Sequence, residues 1–141
     1  MRMLPIYFGC EGDLMHDRHR RLRMMLRVLS AFFTLQGVLW LIAPQRAASG
    51  LGMPLLDGLA RSTQIGDFAA FFLAAGVFML LGIQPGRARL LYFPAALIGG
   101  AAATRTIAWL LHGAAFAWLF IAIELSTGIF LYIAAQRLAE P

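Results

Sequence analysis

The chain has 141 residues, of which 60% are hydrophobic and 13% are charged, and its mean hydropathy is +0.73. Because soluble domains usually carry about 25% charged residues, this composition excludes an ordinary soluble globule and indicates a membrane protein. The net charge of +5 does not indicate a nucleic-acid partner, because many of the arginines directly precede the first apolar stretch. Positive charge is typical of such a membrane flank. These arginines are Arg18, Arg20, Arg21, Arg23 and Arg27.

Four long apolar stretches follow one another along the chain and predict four transmembrane helices. They lie at about 22–43, 63–83, 88–111 and 114–136. Each has about 20 residues or slightly more, the length of helix that crosses a hydrocarbon core of about 30 Å. A soluble helical bundle would need polar outer faces, which these stretches lack. The sequence therefore predicts an all-α integral membrane four-helix bundle at residues 22–136, after an N-terminal segment at residues 1–21.

The distribution of arginine predicts the orientation of this bundle. The N-terminal segment is basic and the turn between spans two and three carries Arg87 and Arg89, whereas the turn between spans three and four has no arginine. The positive-inside rule then places both ends of the chain in the cytoplasm, with the connection at residues 44–62 on the outer membrane surface. The basic residues are all arginine, and alanine and glycine are abundant, so we expect a multi-pass protein of a bacterial inner (plasma) membrane.

Six polar side chains in the predicted spans or at their ends are candidates for a functional site, because an ionisable group costs about 2.5–3.5 kcal/mol at a helix centre. They are Gln36, Gln64, Asp67, Arg105, His112 and Glu124. From the helix rise, Asp67 lies roughly 7 Å and Arg105 roughly 9 Å inside the predicted outer ends, so we expect these two to pair. Gln36 and Glu124 lie about 12–15 Å deep. All six are predicted to form one polar cluster in the outer half of the bundle.

Three interpretations of this polar cluster stay open. In the first, Asp67 and Arg105 are a structural pair that joins spans two and three, and the glutamines hydrogen-bond between helices. In the second, the cluster is a polar-headed pocket or a proton-linked site that opens to the outer side. In the third, one charge is unpaired within the chain and pairs with a transmembrane helix of a partner protein.

The sequence contains no motif typical of catalysis or of metal binding, such as HExxH, GxSxG or a phosphate-binding loop. We therefore assign no catalytic residue and no metal site, and do not expect an enzyme. The single cysteine, Cys10, excludes an intrachain disulfide. No cofactor is predicted, although a pigment or a lipid near His112 stays an open alternative, because such a pigment needs one axial ligand.

Small residues recur at four-residue spacing in spans two and three, a pattern that permits close helix approach. The pairs in span three are Ala96/Gly100, Gly99/Ala103 and Gly100/Thr104, and span two has Ala70, Ala74, Ala75 and Gly76. We expect these residues to pack inside the bundle, where spans two and three would be neighbours. Self-association of two chains is the alternative.

Three short motifs support a family resemblance. Span two opens with GDFAAFF (residues 66–72), span three contains FPAALIGGAAATR (residues 93–105), and a His112-Gly113 turn precedes Glu124 in span four. Over about residues 25–136 the sequence resembles a bacterial family of four-helix membrane proteins described only as a domain of unknown function. The resemblance implies four transmembrane helices and places Asp67, Arg105, His112 and Glu124 at the family's polar positions, but it implies no reaction.

These observations predict a non-catalytic membrane protein that acts by binding. The first hypothesis is an accessory subunit of a larger membrane complex, whose partners are membrane lipids and other transmembrane subunits, with no nucleic acid. The alternative is a carrier or receptor for a small-molecule or lipid-like ligand. Its outward-facing polar pocket would lie within the membrane around Asp67, Arg105 and Glu124.

Overall fold

The computed structural model describes the backbone of residues 9–139 and the side chains of residues 19–139. The rest of the predicted N-terminal segment, including the side chain of Cys10, lies outside the described residues. The described chain forms five α-helices, with a 3-10 turn at Ala88–Leu91 directly before the fourth. The helices are α1 (Gly9–Ile42), α2 (Pro44–Gly50), α3 (Gly58–Gly82), α4 (Tyr92–His112) and α5 (Trp118–Ala139).

Four segments of this structure are long and apolar enough to cross a membrane: His19–Ile42, Gly58–Gly82, Ala88–His112 and Trp118–Ala139. Residues 9–139 contain no strand, so the prediction of an all-α membrane bundle with four spans is confirmed. Four antiparallel spans bring both ends of the described chain to one end of the bundle, called the termini end below. The opposite end carries the short helix α2 and is called the α2 end.

The starts of α3 and α5 differ from the predicted spans by four or five residues. Helix α3 begins at Gly58, five residues before the predicted start, because Arg61 binds both the Asp57 carboxylate (2.6 Å) and the Leu56 carbonyl (2.7 Å) and so supports an extra first turn. Helix α5 begins four residues later than predicted. Gly113 ends α4 in the left-handed region (φ 65°) that favours glycine, and residues 113–117 are not helical.

The helices pack as two pairs, α1 with α3 and α4 with α5. In the first pair, the Ser30 hydroxyl donates to the Gly76 carbonyl at 2.8 Å, and Gly76 also lies against Thr34. In the second pair, Gly128 of α5 lies against the backbone of Ala95 and Gly99. The small residues therefore bring α3 close to α1 and α4 close to α5, whereas their spacing predicts that spans two and three approach each other.

At the termini end the two pairs share one apolar core. Its fully buried side chains come from every spanning helix and from the 3-10 turn, and the largest are Leu26, Met79, Leu91, Ile98 and Leu131. Leu91 lies in the 3-10 turn that joins α3 to α4, where it packs against Gly82 at the end of α3. This turn thus holds the second pair against the first.

At the α2 end the packing is different. A second core forms around the fully buried Trp40, which stacks on Phe68 with 4.8 Å between ring centroids and is covered by Ala47 and Ala48 of α2. Its buried members belong to α1, α2 and α3. By contrast, no residue from 103 to 127 is buried in the described structure. The α4–α5 pair is therefore separated from the α1–α3 pair over this half of the bundle.

The contact at Gly76 makes a direct prediction. A Cβ at this position would lie against the Thr34 hydroxyl and 2.8 Å from the Thr34 backbone nitrogen, so we expect Gly76→Ala to lower the free energy of unfolding by about 1–3 kcal/mol. A Cβ at Gly66, on the same helix, would have no atom within 4 Å, so Gly66→Ala is the matched control. Equilibrium unfolding in mixed micelles measures both variants. Equal stabilities for the two variants would contradict the described packing of α1 on α3.

Candidate functional site

A cavity of about 480 Å³ lies between the two helix pairs. This volume is within the range of about 300–1,000 Å³ that is usual for small-molecule sites. Every spanning helix contributes to the wall, and Gly50 and Leu51 beside the end of α2 contribute as well. Six of the lining residues are phenylalanines: Phe32, Phe33, Phe68, Phe71, Phe72 and Phe120. The cavity follows from the fold, because the pairs are joined at the termini end and separate beyond it.

One ion pair lies in this apolar wall. The Arg105 Nε donates to both carboxylate oxygens of Glu124, at 2.8 and 3.0 Å, which joins α4 to α5. The Glu124 side chain is 15% exposed and the Arg105 side chain 33% exposed. Most of the surface of both side chains is therefore covered by protein, although both line the cavity. The Arg105 guanidinium also lies over the Phe120 ring, with 5.1 Å from Cζ to the ring centroid.

This pairing corrects the predicted contact between Asp67 and Arg105. Arg105 lies seven residues before the end of α4, or about 10 Å, and Glu124 lies six residues after the start of α5, or about 9 Å. The two side chains therefore sit at the same depth on neighbouring helices. The sequence prediction missed this match because it began the fourth span at residue 114, which placed Glu124 too deep.

The structure does not bring the six predicted polar residues into one cluster. Gln36 lines the cavity together with Arg105 and Glu124. Asp67 is exposed on α3 and His112 is exposed at the last position of α4, and neither lines the cavity. The predicted cluster is therefore reduced to three residues that share one cavity.

Gln64 has a different place in the structure. Its side chain is buried, accepts a hydrogen bond from the Leu56 N–H at 3.0 Å and donates to the Pro54 carbonyl at 3.1 Å. The same amide nitrogen lies 3.1 Å from the Met53 sulfur. Gln64 thus holds the connection between α2 and α3 against the bundle, and it is not part of the cavity wall.

The six phenylalanines are the largest group of lining residues that the sequence prediction did not single out. Phe68 and Phe72 are four residues apart with Phe71 beside them, and Phe32 and Phe33 lie one turn before Gln36. This helical spacing places aromatic rings on one face of α3 and of α1, and it was a signal that could have found them. In an apolar helix the same spacing also describes ordinary packing, so it does not reveal a cavity without the helix arrangement.

The chemistry available in the cavity is hydrogen bonding and apolar contact. Its lining includes one cation and one anion, already paired, with the amide of Gln36 and the hydroxyls of Thr104 and Thr127. Thr104 donates its hydroxyl proton to the Ala101 carbonyl at 3.0 Å. Among the described residues, no three His, Cys, Asp or Glu side chains come together in a way that could hold a metal ion.

Residues 21–135 match the family described as "Domain of unknown function (DUF4345)". The chain belongs to this family. The match confirms the predicted resemblance to a family of unknown function and includes all of the cavity-lining residues named above. No curated protein and no solved structure shows significant similarity to the chain. The function of this DUF4345 domain is therefore inferred from the geometry of the cavity.

The ion pair can be tested by a double-mutant cycle with apolar replacements. Glu124→Leu leaves Arg105 without its partner, and Arg105→Met leaves Glu124 without its partner, so we expect each to lower the free energy of unfolding by about 2 kcal/mol or more. The double variant removes both charges and is expected to lie within about 1 kcal/mol of the wild type. Unfolding in mixed micelles measures the cycle.

Asp67→Asn is the matched control for the cycle, because Asp67 is exposed. We expect it to change the free energy of unfolding by less than about 1 kcal/mol. A larger loss for Asp67→Asn than for Glu124→Leu would favour the pairing of Asp67 with Arg105 over that of Glu124 with Arg105.

Proposed function

We propose that this membrane protein binds an amphipathic small molecule in the cavity between its two helix pairs. The observation that carries the proposal is an aromatic cavity of about 480 Å³ whose wall contains one oriented ion pair. Small-molecule sites are typically concave and mostly apolar, with a few polar groups that set the ligand's orientation. The function is that of a carrier or receptor, and no chemical step is part of it.

The position of the Arg105–Glu124 pair supports a binding role over a purely structural one. Ion pairs in low-dielectric surroundings add little net stability, because desolvation offsets the attraction between the charges. The two helices that the pair joins already pack closely where Gly128 meets Ala95 and Gly99. A polar group that contributes little to packing and faces a cavity is well placed to orient a ligand.

The location of the cavity favours a ligand that comes from the lipid phase. Its lining residues lie mainly in the four helices that are long and apolar enough to span a membrane. Phe32 lines the cavity and yet is 58% exposed, so the wall continues to the outer surface of the bundle. A molecule with an apolar body can enter from the side without passing through water.

A second candidate function is that of an accessory subunit, and one feature of α4 favours it. Ala96, Gly100 and Ala103 are exposed on its outer face, and a Cβ at Gly100 would have no atom within 4 Å. Such a face lets a transmembrane helix of another protein approach closely. Purification in mild detergent separates the candidates, because an accessory subunit migrates with a defined complex.

We further propose that the chain lies in a bacterial inner membrane with its termini end in the cytoplasm. The support is the position of the arginines, since Arg20, Arg21, Arg87, Arg89 and Arg137 all belong to that end of the bundle.

Ligand binding is tested by filling the cavity. Ala101 lines it, so we expect Ala101→Phe to occupy the ligand's space. Ala103 is exposed on the same helix and does not line the cavity, so Ala103→Phe is the matched control. In native mass spectrometry of protein released from nanodiscs, the wild type and Ala103→Phe should retain a bound amphiphile, and Ala101→Phe should lose most of it. The same amphiphile content in all three proteins would contradict a ligand site in this cavity.

The orientation is tested with reporter fusions. Green fluorescent protein fused after residue 141 should fluoresce, and alkaline phosphatase fused at the same position should be inactive. Alkaline phosphatase inserted in the connection between α2 and α3 should be active, because that connection lies at the opposite end of the bundle. The reverse pattern of activities would place the termini outside.

A further inference from the structure

The hydrogen bonds of Arg105 leave its terminal nitrogens available. The bonds to Glu124 both come from Nε, and neither Nη nitrogen donates a hydrogen bond to a described residue. Phe120 covers one face of the guanidinium. The free donors are therefore the terminal N–H groups at the edge of the planar guanidinium, one face of which is covered by Phe120. These donors belong to Arg105, which lines the cavity.

The Glu124 carboxylate is the less accessible half of the pair. Its side chain is 15% exposed, against 33% for Arg105, and both of its oxygens accept from Nε. A molecule in the cavity thus meets donors on Arg105 more readily than acceptors on Glu124. The ligand's polar head should accordingly contribute a hydrogen-bond acceptor.

The charge balance selects between a neutral and a charged head. Arg105 and Glu124 are the ionisable residues of the described cavity lining, and their charges cancel. An anionic or a cationic head would leave one uncompensated charge among six phenylalanine rings, which is costly in apolar surroundings. A neutral head that accepts hydrogen bonds avoids this cost.

From these three observations we infer that the ligand is a neutral amphiphile whose head carries a carbonyl oxygen, held by the terminal N–H groups of Arg105. This inference rests on the proposed function, because it names the ligand class of the same cavity. Gln36 lines the cavity from α1, and its amide makes no hydrogen bond to a described residue, so it offers a further donor for the same head. The apolar body of the ligand lies among the phenylalanines.

The test compares three amphiphiles with the same twelve-carbon chain: N,N-dimethyldodecanamide, dodecanoate and dodecyltrimethylammonium. Each is added at equal mole fraction to the full-length protein in neutral detergent at about pH 9, where dodecanoate is charged. The shift of the thermal unfolding midpoint with concentration gives an apparent affinity. For the wild type we expect the amide to bind about tenfold more tightly than either charged amphiphile, the effect of one hydrogen bond to a charged donor.

Arg105→Lys is the diagnostic variant. It keeps the positive charge and the cancelled charge of the pair, but it replaces the planar group and its free N–H edge with a single ammonium group engaged by Glu124. We expect the apparent affinity for the amide to fall about tenfold, the loss of that hydrogen bond, while the twelve-carbon chain still binds. The double variant Arg105→Met with Glu124→Leu removes the head-binding group with apolar replacements and should show the same loss, so the result does not depend on one variant folding.

The outcomes separate this inference from the proposed function. Equal binding of the three amphiphiles by the wild type, or a preference for dodecanoate, would overturn the neutral carbonyl ligand and leave a ligand-binding cavity in place. An apparent affinity for the amide that is unchanged in both variants would overturn the role of Arg105. If none of the three shifts the wild-type midpoint more than that of Ala101→Phe, both the ligand class and ligand binding in this cavity are wrong.

Discussion

The two helix pairs of this DUF4345 domain are joined at one end only, and this constraint determines the rest of the structure. At the termini end, Leu26, Met79, Ile98 and Leu131 bring every spanning helix into one apolar core. At the α2 end, Trp40 and its neighbours form a core within α1, α2 and α3. Because α4 and α5 are absent from the buried part of that second core, they separate from α3 as they extend toward it. The cavity is the space between the separated pairs.

The Arg105–Glu124 pair gains its significance from this arrangement. In a fully packed bundle, a charge in mid-helix would need burial against several helices, with a large cost of desolvation. Here the pair lies between α4 and α5 and borders the cavity, so each charge has its partner without being enclosed by the whole bundle. The same placement leaves the edge of the arginine available. Arg105 and Glu124 thus form an ion pair between two helices and also provide the polar group that can orient a ligand.

Much of this architecture can be read from the chain without its structure. Helix length and hydropathy are local properties, and they predict the number of spans and the all-α class because a lipid core forces the backbone into helices. The contact of Arg105 with Glu124 could also have been predicted from the sequence. It required only the correct start of α5, which the non-helical residues 113–117 shift by four positions. The burial of Gln64 was less accessible, because its partners Pro54 and Leu56 lie in an irregular connection whose path has no periodic signal.

The sequence by itself determined that this is a four-helix membrane protein with polar residues in its spans. Hydrophobicity, length and charge are local properties of each segment, so they do not depend on how the helices pack. Only the tertiary structure decided which of those residues meet. Gly76 approaches α1 and Gly128 approaches α4, and these contacts assign the helices to pairs that small-residue spacing alone cannot distinguish. This pairing of the helices determines the direction in which each helix face points. It leaves Asp67 and His112 exposed and unites Gln36, Arg105 and Glu124 around one cavity, because side-chain contacts depend on how whole helices tilt and rotate against one another.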